Sequence, residues 1–412
     1  MIDMATNFTN LKFFSTFRRL NFRYLWLSAA LQNSAVTINM IAKSWLVLML
    51  TGSTLLMGLT NAIGAIPLFL GFFGGVTADR FNRRKLLIFF RAINIAQAFV
   101  VAFLLHTGLL AFWHVIAVIL ITGVIDALAG PTESVFLVDI VGKHDLMNAM
   151  GLNRITAAFM GIIGSFLVGV FIEVYGIGFC YLVEAIMRMV SLVSFSMIRV
   201  EGQTAAIKPG NPFLEIKEGL KYIRSNHSLL GLLAIALYWN FFVSVNGFRL
   251  TLLPIFARDI LYVGASGYGL LMAADKVGTF LGALMVANLG GFKRKGWLLI
   301  ISAVLMGVGL ILFPMMGWFP LSLTTWSIVG LMTSLYNSTS EVLLLTTSSE
   351  EMRGRVMGAR FQVWMFMPIN AAWAGALADL AGVAIAMEVG GVLWLAAVSV
   401  TAILMSNLRK LE

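Results

Sequence analysis

Between two apolar runs, at 54–78 and 85–106, the chain reads Gly75-Val76-Thr77-Ala78-Asp79-Arg80-Phe81-Asn82-Arg83-Arg84-Lys85. Runs of about 20 apolar residues suit helices that cross a bilayer. Arg80, Arg83, Arg84 and Lys85 then mark the connection between them as cytoplasmic, because bases are retained on that side. The stretch therefore reads as an inner loop joining spans 2 and 3.

The rest of the chain agrees with that reading. Of 412 residues, 59% are apolar and 12% charged, and the mean hydropathy is +0.91. A soluble domain carries about 25% charged residues, so most of this surface faces lipid. Apolar runs and turn residues give approximate spans at 22–50, 54–78, 85–106, 111–140, 147–172, 178–198, 228–257, 266–290, 296–316, 319–346, 355–379 and 383–407. With the N-terminus inside, 22 of the 29 bases fall on the cytoplasmic side, Arg360 among them. Both termini are thus expected in the cytoplasm, and the net charge of +10 orients the protein without implying nucleic acid. The lone Cys180 and the scattered His106, His114, His144 and His227 form no metal-binding spacing, so no metal or cofactor is expected. The chain also lacks a nucleotide-binding loop, which argues against an enzyme.

The organisation is twofold. Residues 131–151 (PTESVFLVDIVGKHDLMNAMG) align without gaps on 338–358 (STSEVLLLTTSSEEMRGRVMG), and a second match relates Gly58-Leu59 to Gly269-Leu270. Such half-length repeats indicate two pseudo-symmetric bundles. The expected fold is an all-α integral membrane protein of twelve transmembrane helices in two six-helix bundles. Residues 1–21 form a cytoplasmic amphipathic N-terminus, 22–198 and 228–407 the bundles, and 408–412 a cytoplasmic tail. Residues 199–227 are a cytoplasmic linker whose Phe213, Ile216, Leu220 and Ile223 have helical, amphipathic spacing.

With these spans and repeats in place, the loop at 75–85 resembles the GxxxDRxGRR/K motif of the major facilitator superfamily. FRRLNFRYLW at 17–26, WLVLMLTGS at 45–53 and EEMRGRVMG at 350–358 extend the similarity to the efflux branch containing siderophore exporters and macrolide efflux proteins. The resemblance implies a gate in which the loop latches the cytoplasmic side: Gly75, Asp79, Arg80, Arg83 and Arg84, with Asp139 on helix 4 and Arg355 on helix 11. Two positions depart from the branch. Helix 1 has Asn33, Val36 and Asn39 where an acid is common, and Ser165 replaces the proline of the antiporter motif in Gly161-x-x-Gly164-Ser165-x-x-x-Gly169.

Charges within the spans cost about 2.5–3.5 kcal/mol on insertion scales, so they are expected to face a cavity or a partner. Asp126 and Glu133 share one face of helix 4 with Gly130, either for protonation or for pairing with a neighbouring base. Glu184 and Arg188 have the spacing of an intrahelical pair. Asp275 and Lys276 are adjacent and cannot share a face; Lys43 and Arg249 are the basic candidates for Asp275. Arg91 and Arg154 are read as snorkelling to the inner interface, without a role.

The expected protein is a monomer in the bacterial inner membrane, binding a small-molecule substrate and protons. Proton coupling or substrate binding is assigned to Asp126, Glu133, Glu184, Asp275, Lys43 and Arg249. The expected activity is proton-coupled export of a small amphipathic molecule of drug or siderophore type; the alternative is a symporter or uniporter for a metabolite or lipid-derived solute.

Overall fold

The computed structural model describes residues 16–17, 19–70, 81–200, 221–244, 247–288 and 293–411, apart from the side chains of Lys143, His144 and Met147. Among these residues the regular structure is helical throughout, with no strand. Eight helices are long and apolar enough to cross a membrane: α1 Leu20–Thr51, α3 Arg83–His106, α4 Phe112–Gly142, α5 Asn148–Tyr175, α6 Ile177–Ser196, α8 Gly264–Asn288, α9 Lys295–Met315 and α13 Val383–Leu404. The remaining expected spans differ in length or continuity. Helix α2, Thr54–Ala65, continues as a 3-10 turn to Leu70, and α7, His227–Phe242, is equally short. Helix α10, Phe319–Thr347, is long but rich in Ser and Thr. The expected span at 355–379 is two helices, α11 Arg353–Val363 and α12 Met367–Ala381, separated by a 3-10 turn. Pro368 lies in the first turn of α12, where its missing N–H costs least.

The chain forms two compact units: residues 1–43 with 66–207, and residues 44–65 with 208–412. Ser44–Ala65 thus packs in the second unit, although sequence order places it beside the first.

In the first unit, Phe22, Leu87, Phe136, Val141, Phe195 and Ile198 join α1, α3, α4 and α6 in one buried cluster. The junction of α4 and α5 turns on Gly142, whose φ of +73° lies in the region that favours glycine. Arg19 pins this junction from outside, donating to Val141 O at 2.6 Å and pairing with Asp145 at 2.8 Å.

In the second unit, Phe313 packs between Phe256 and Trp326 with tilted rings, their centroids 4.7 and 4.6 Å away. Helix α2 meets α12 at small residues: a Cβ built on Gly58 would lie 2.9 Å from Gly375 Cα and against the Ala371 carbonyl. Such close backbone approach is the usual way helices pack without a hydrophobic driving force. Thr54 Oγ1 donates to Asp379 at 2.9 Å beside it. Gly58→Ala is expected to lower stability by about 1–3 kcal/mol through overpacking. A thermal midpoint in detergent equal to that of the native chain would contradict the close approach.

Candidate functional site

In the first unit, α1, α4 and α6 bring Lys43, Asp126, Glu184 and Arg188 within electrostatic reach of one another. Glu184 and Arg188, 1% and 5% exposed, pair at 2.8 Å within α6. Asn39 of α1 donates to both Glu184 oxygens at 3.1 Å. One turn later on the same face, Lys43 has Asp126 and Glu184 as its charged neighbours. Asp126 itself is exposed on α4, within electrostatic reach of Arg188, Glu133 and Lys43 but in ion-pair contact with none. Behind the Glu184 pair is a void of about 10 Å³ lined by Asn39, Asn94, Gln97, Thr122, Glu184 and Arg188, with the size of one water molecule. Thr122 donates to Gln97 Oε1 at 2.8 Å, while Gln97 Nε2 is buried without a partner.

Nearer the basic end, Arg91 corrects the snorkelling expectation. It is 7% exposed and donates to Ser28 on α1 at 2.5 Å, to Ser191 on α6 at 3.2 Å and to Glu133 on α4 at 3.1 Å. Its guanidinium also lies 4.1 Å from the Phe195 ring centroid. Snorkelling needs a free path along the side chain, and these partners close it. Arg154, in contrast, is exposed. Arg91 and Glu133 line a cavity of about 210 Å³ together with Gln32, Asn33, Asn153 and Phe136. Its walls alternate apolar and hydrogen-bonding groups, which suits a small amphipathic guest.

The residues expected to form a gate are partly in view. Gly75, Asp79 and Arg80 lie outside the described residues. Arg83, 3% exposed, pairs with Asp139 at 2.9 Å, and Arg84 donates to Ser196 O at 2.6 Å. Arg355 donates to Met352 Sδ at 3.2 Å. Most of the expected linker helix, 201–220, is also outside the described residues. Its far end is tied down, because Tyr222 Oη accepts from Ser349 N at 3.1 Å. Hydrogen bonds from the Ser349 side chain and backbone hold this phenol below its ordinary range.

In the second unit, Arg249 is the partner of Asp275, at 2.6 Å, with both nearly buried. The contact is an ion pair. Lys276, on the adjacent face of α8, is half-buried. Glu341 is exposed on α10.

The expected span at 228–257 breaks after Phe242, where Val243 has the non-helical dihedrals −138° and 26°. Asn370 and Trp373 of α12 fill the gap: both donate to Phe241 O, at 3.1 and 2.7 Å, and Ser244 donates to Asn370 Oδ1 at 2.7 Å. Past the break the helix resumes as two π-helical turns, Phe248–Leu252 and Phe256–Ile260. Asn39, Arg91 and Asn370 are thus the site-forming residues to which sequence reading gives no role. The available signals are the four-residue spacing of Asn39 and Lys43, and an Asn two residues beyond Pro368.

Known proteins place this geometry in context. A family model described as transmembrane secretion effector matches residues 12–412. Macrolide efflux protein A of Streptococcus pyogenes is 21% identical over 404 residues, covering 96% of this chain and 98% of that protein. Enterobactin exporter EntS of Salmonella typhi is 26% identical over 321 residues, covering 75% and 74%. Among solved structures, a point mutant of the nucleoside transporter NupG superposes with a TM-score of 0.75 at 14% identity, over 94% of this chain and 99% of that one. A POT family transporter in complex with 5-aminolevulinic acid gives 0.77 at 12%, over 95% and 97%. At these identities the structures establish the fold alone.

Proposed function

Because the chain belongs to the transmembrane secretion effector family of the major facilitator superfamily, and is therefore a multi-pass membrane transporter rather than an enzyme, we propose that it exports a small amphipathic molecule by alternating access, driven by inward proton flow. The observation that carries this reading is the contrast between two acids. Glu184 is fixed by Arg188 and Asn39, whereas Asp126 is exposed, with cations near it but none in contact. A carboxylate so placed can exchange a proton without dismantling a buried pair. Lys43, within reach of both acids, is the group that senses the exchange. The Arg91 and Glu133 cavity offers the substrate its first polar contacts.

The names of the relatives, a macrolide efflux protein and an enterobactin exporter, favour export over uptake. The protein is assigned to the bacterial inner membrane as a monomer, with six-helix bundles at 22–198 and 228–407 and both termini in the cytoplasm. Gly75, Asp79, Arg80, Arg83, Arg84, Asp139 and Arg355 form its cytoplasmic gate. Arg249 and Asp275 hold α8 to the chain beyond the helix 7 break.

A second reading keeps the fold and drops the proton: Asn33 and Asn39 replace an acid in helix 1, and Ser165 replaces a proline, which suits a symporter or uniporter. The test is acidification of everted vesicles followed by addition of macrolides, siderophores and common metabolites. Substrate-dependent collapse of the pH gradient is expected. Counterflow of a labelled substrate with no pH response would overturn proton coupling and establish the second reading.

A further inference from the structure

Arg83, Arg91, Arg188 and Arg249 are nearly buried, and each holds a carboxylate. Arg360 differs. By sequence it counts among the solvated inner bases, yet it folds against α10. Its Nη1 donates to the fully buried Ser340 Oγ at 2.7 Å, and its Nη2 to Asn337 Oδ1 at 3.5 Å. Both partners are neutral, and Arg360 makes no ion pair with any described residue. Glu341, the acid next to Ser340, is exposed on the adjacent face and forms none either.

The internal repeat explains how the charge was left uncompensated. In the register that aligns 131–151 with 338–358, Glu133 corresponds to Ser340, and the same register takes Asn153 to Arg360. The first unit keeps its acid there, and Arg91 neutralises it. The second unit has exchanged the acid for a hydroxyl and placed the cation on the facing helix. A guanidinium held on one side by a hydroxyl and an amide keeps its other donors in a fixed fork, the geometry that takes a carboxylate through two parallel hydrogen bonds. Next to Ser340, Tyr336 is buried against Trp239 and Trp394, with centroids 5.6 Å from each, so a closed aromatic core backs Ser340 and holds it in place.

We propose that Arg360, with Ser340 and Asn337, is an anion-binding site that takes the carboxylate of a small molecule. Its role as a substrate anchor rests on the transport reading; its capacity to bind the anion does not.

The test uses the purified full chain in detergent at matched ionic strength, with benzoate as the probe and benzamide as its uncharged analogue. Benzoate at about 20 mM is expected to raise the thermal midpoint by about 2 °C, and benzamide to leave it unchanged, because only a ligand that binds the native state stabilises it. Arg360→Gln removes the shift, while Arg360→Lys keeps part of it through its point charge. Asn337→Asp, close to isosteric at a half-buried position, sets a carboxylate beside Arg360 and is expected to abolish the benzoate shift while keeping the chain folded. It therefore decides the question even where Arg360→Gln fails to fold. Equal shifts with benzoate and benzamide, no shift with either, or a benzoate shift that survives Asn337→Asp would overturn the site. Loss of proton-coupled export with the benzoate response intact would count against the exporter reading alone.

Discussion

Asp126→Asn is expected to leave the chain folded and to reduce substrate-dependent proton flux in everted vesicles to that of empty vesicles. The substitution is close to isosteric, and Asp126 is exposed and makes no ion pair with a described residue, so the stability change should stay within about 0.5 kcal/mol. What disappears is the carboxylate charge and, with it, the ability to take and release a proton. Binding and exchange of substrate need not follow, so counterflow should persist in the variant while net export against a gradient stops. Proton flux equal to that of the native chain would remove Asp126 from the mechanism and leave Glu133, which Arg91 already neutralises, as a weaker candidate.

Arg188→Met has the opposite character. It strands the Glu184 carboxylate in a site where 1% of the residue is exposed, and breaking a buried pair from one side costs about 3–5 kcal/mol. The cost should fall at the lower end, because Asn39 still donates to both oxygens and Lys43 lies within reach. The expected result is a marked loss of monodisperse protein on size-exclusion chromatography. Glu184→Gln combined with Arg188→Met removes both charges and should restore the folded fraction. A double variant that folds and transports assigns the pair to structure alone; one that folds but no longer transports places it in the coupling pathway. Normal yield of the single variant would mean that Lys43 already neutralises Glu184.

The sequence is informative where interactions are local. Spacing of four residues announces the Glu184–Arg188 pair, and apolar length locates α3, α6 and α9 to within about two residues. It is less informative where one helix completes another. The spans expected at 228–257 and 355–379 look continuous because their apolar character is continuous. The break within 228–257 is met by the Asn370 and Trp373 side chains, which donate to a main-chain carbonyl of the other helix, and that exchange has no period along the chain. Arg91 escapes a sequence reading for a related reason: distance from a helix end says nothing of whether Ser28, Ser191 and Phe195 close the way out. Arg249 as partner of Asp275 is legible only as one of two candidates, since pairing across helices depends on rotation that composition does not encode.

The helix 7 break also constrains how the protein is made. Phe241 O accepts from donors more than a hundred residues later in the chain, and a carbonyl that loses its partners in hydrocarbon costs several kcal/mol. During synthesis α7 leaves the ribosome long before α12 exists. Until then it must stay as an uninterrupted helix, remain beside the insertion machinery, or keep water at its open carbonyl. Completion of the second half is thereby tied to the arrival of its penultimate helix, and a nascent chain that stops before Asn370 carries a defect that cellular quality control can recognise.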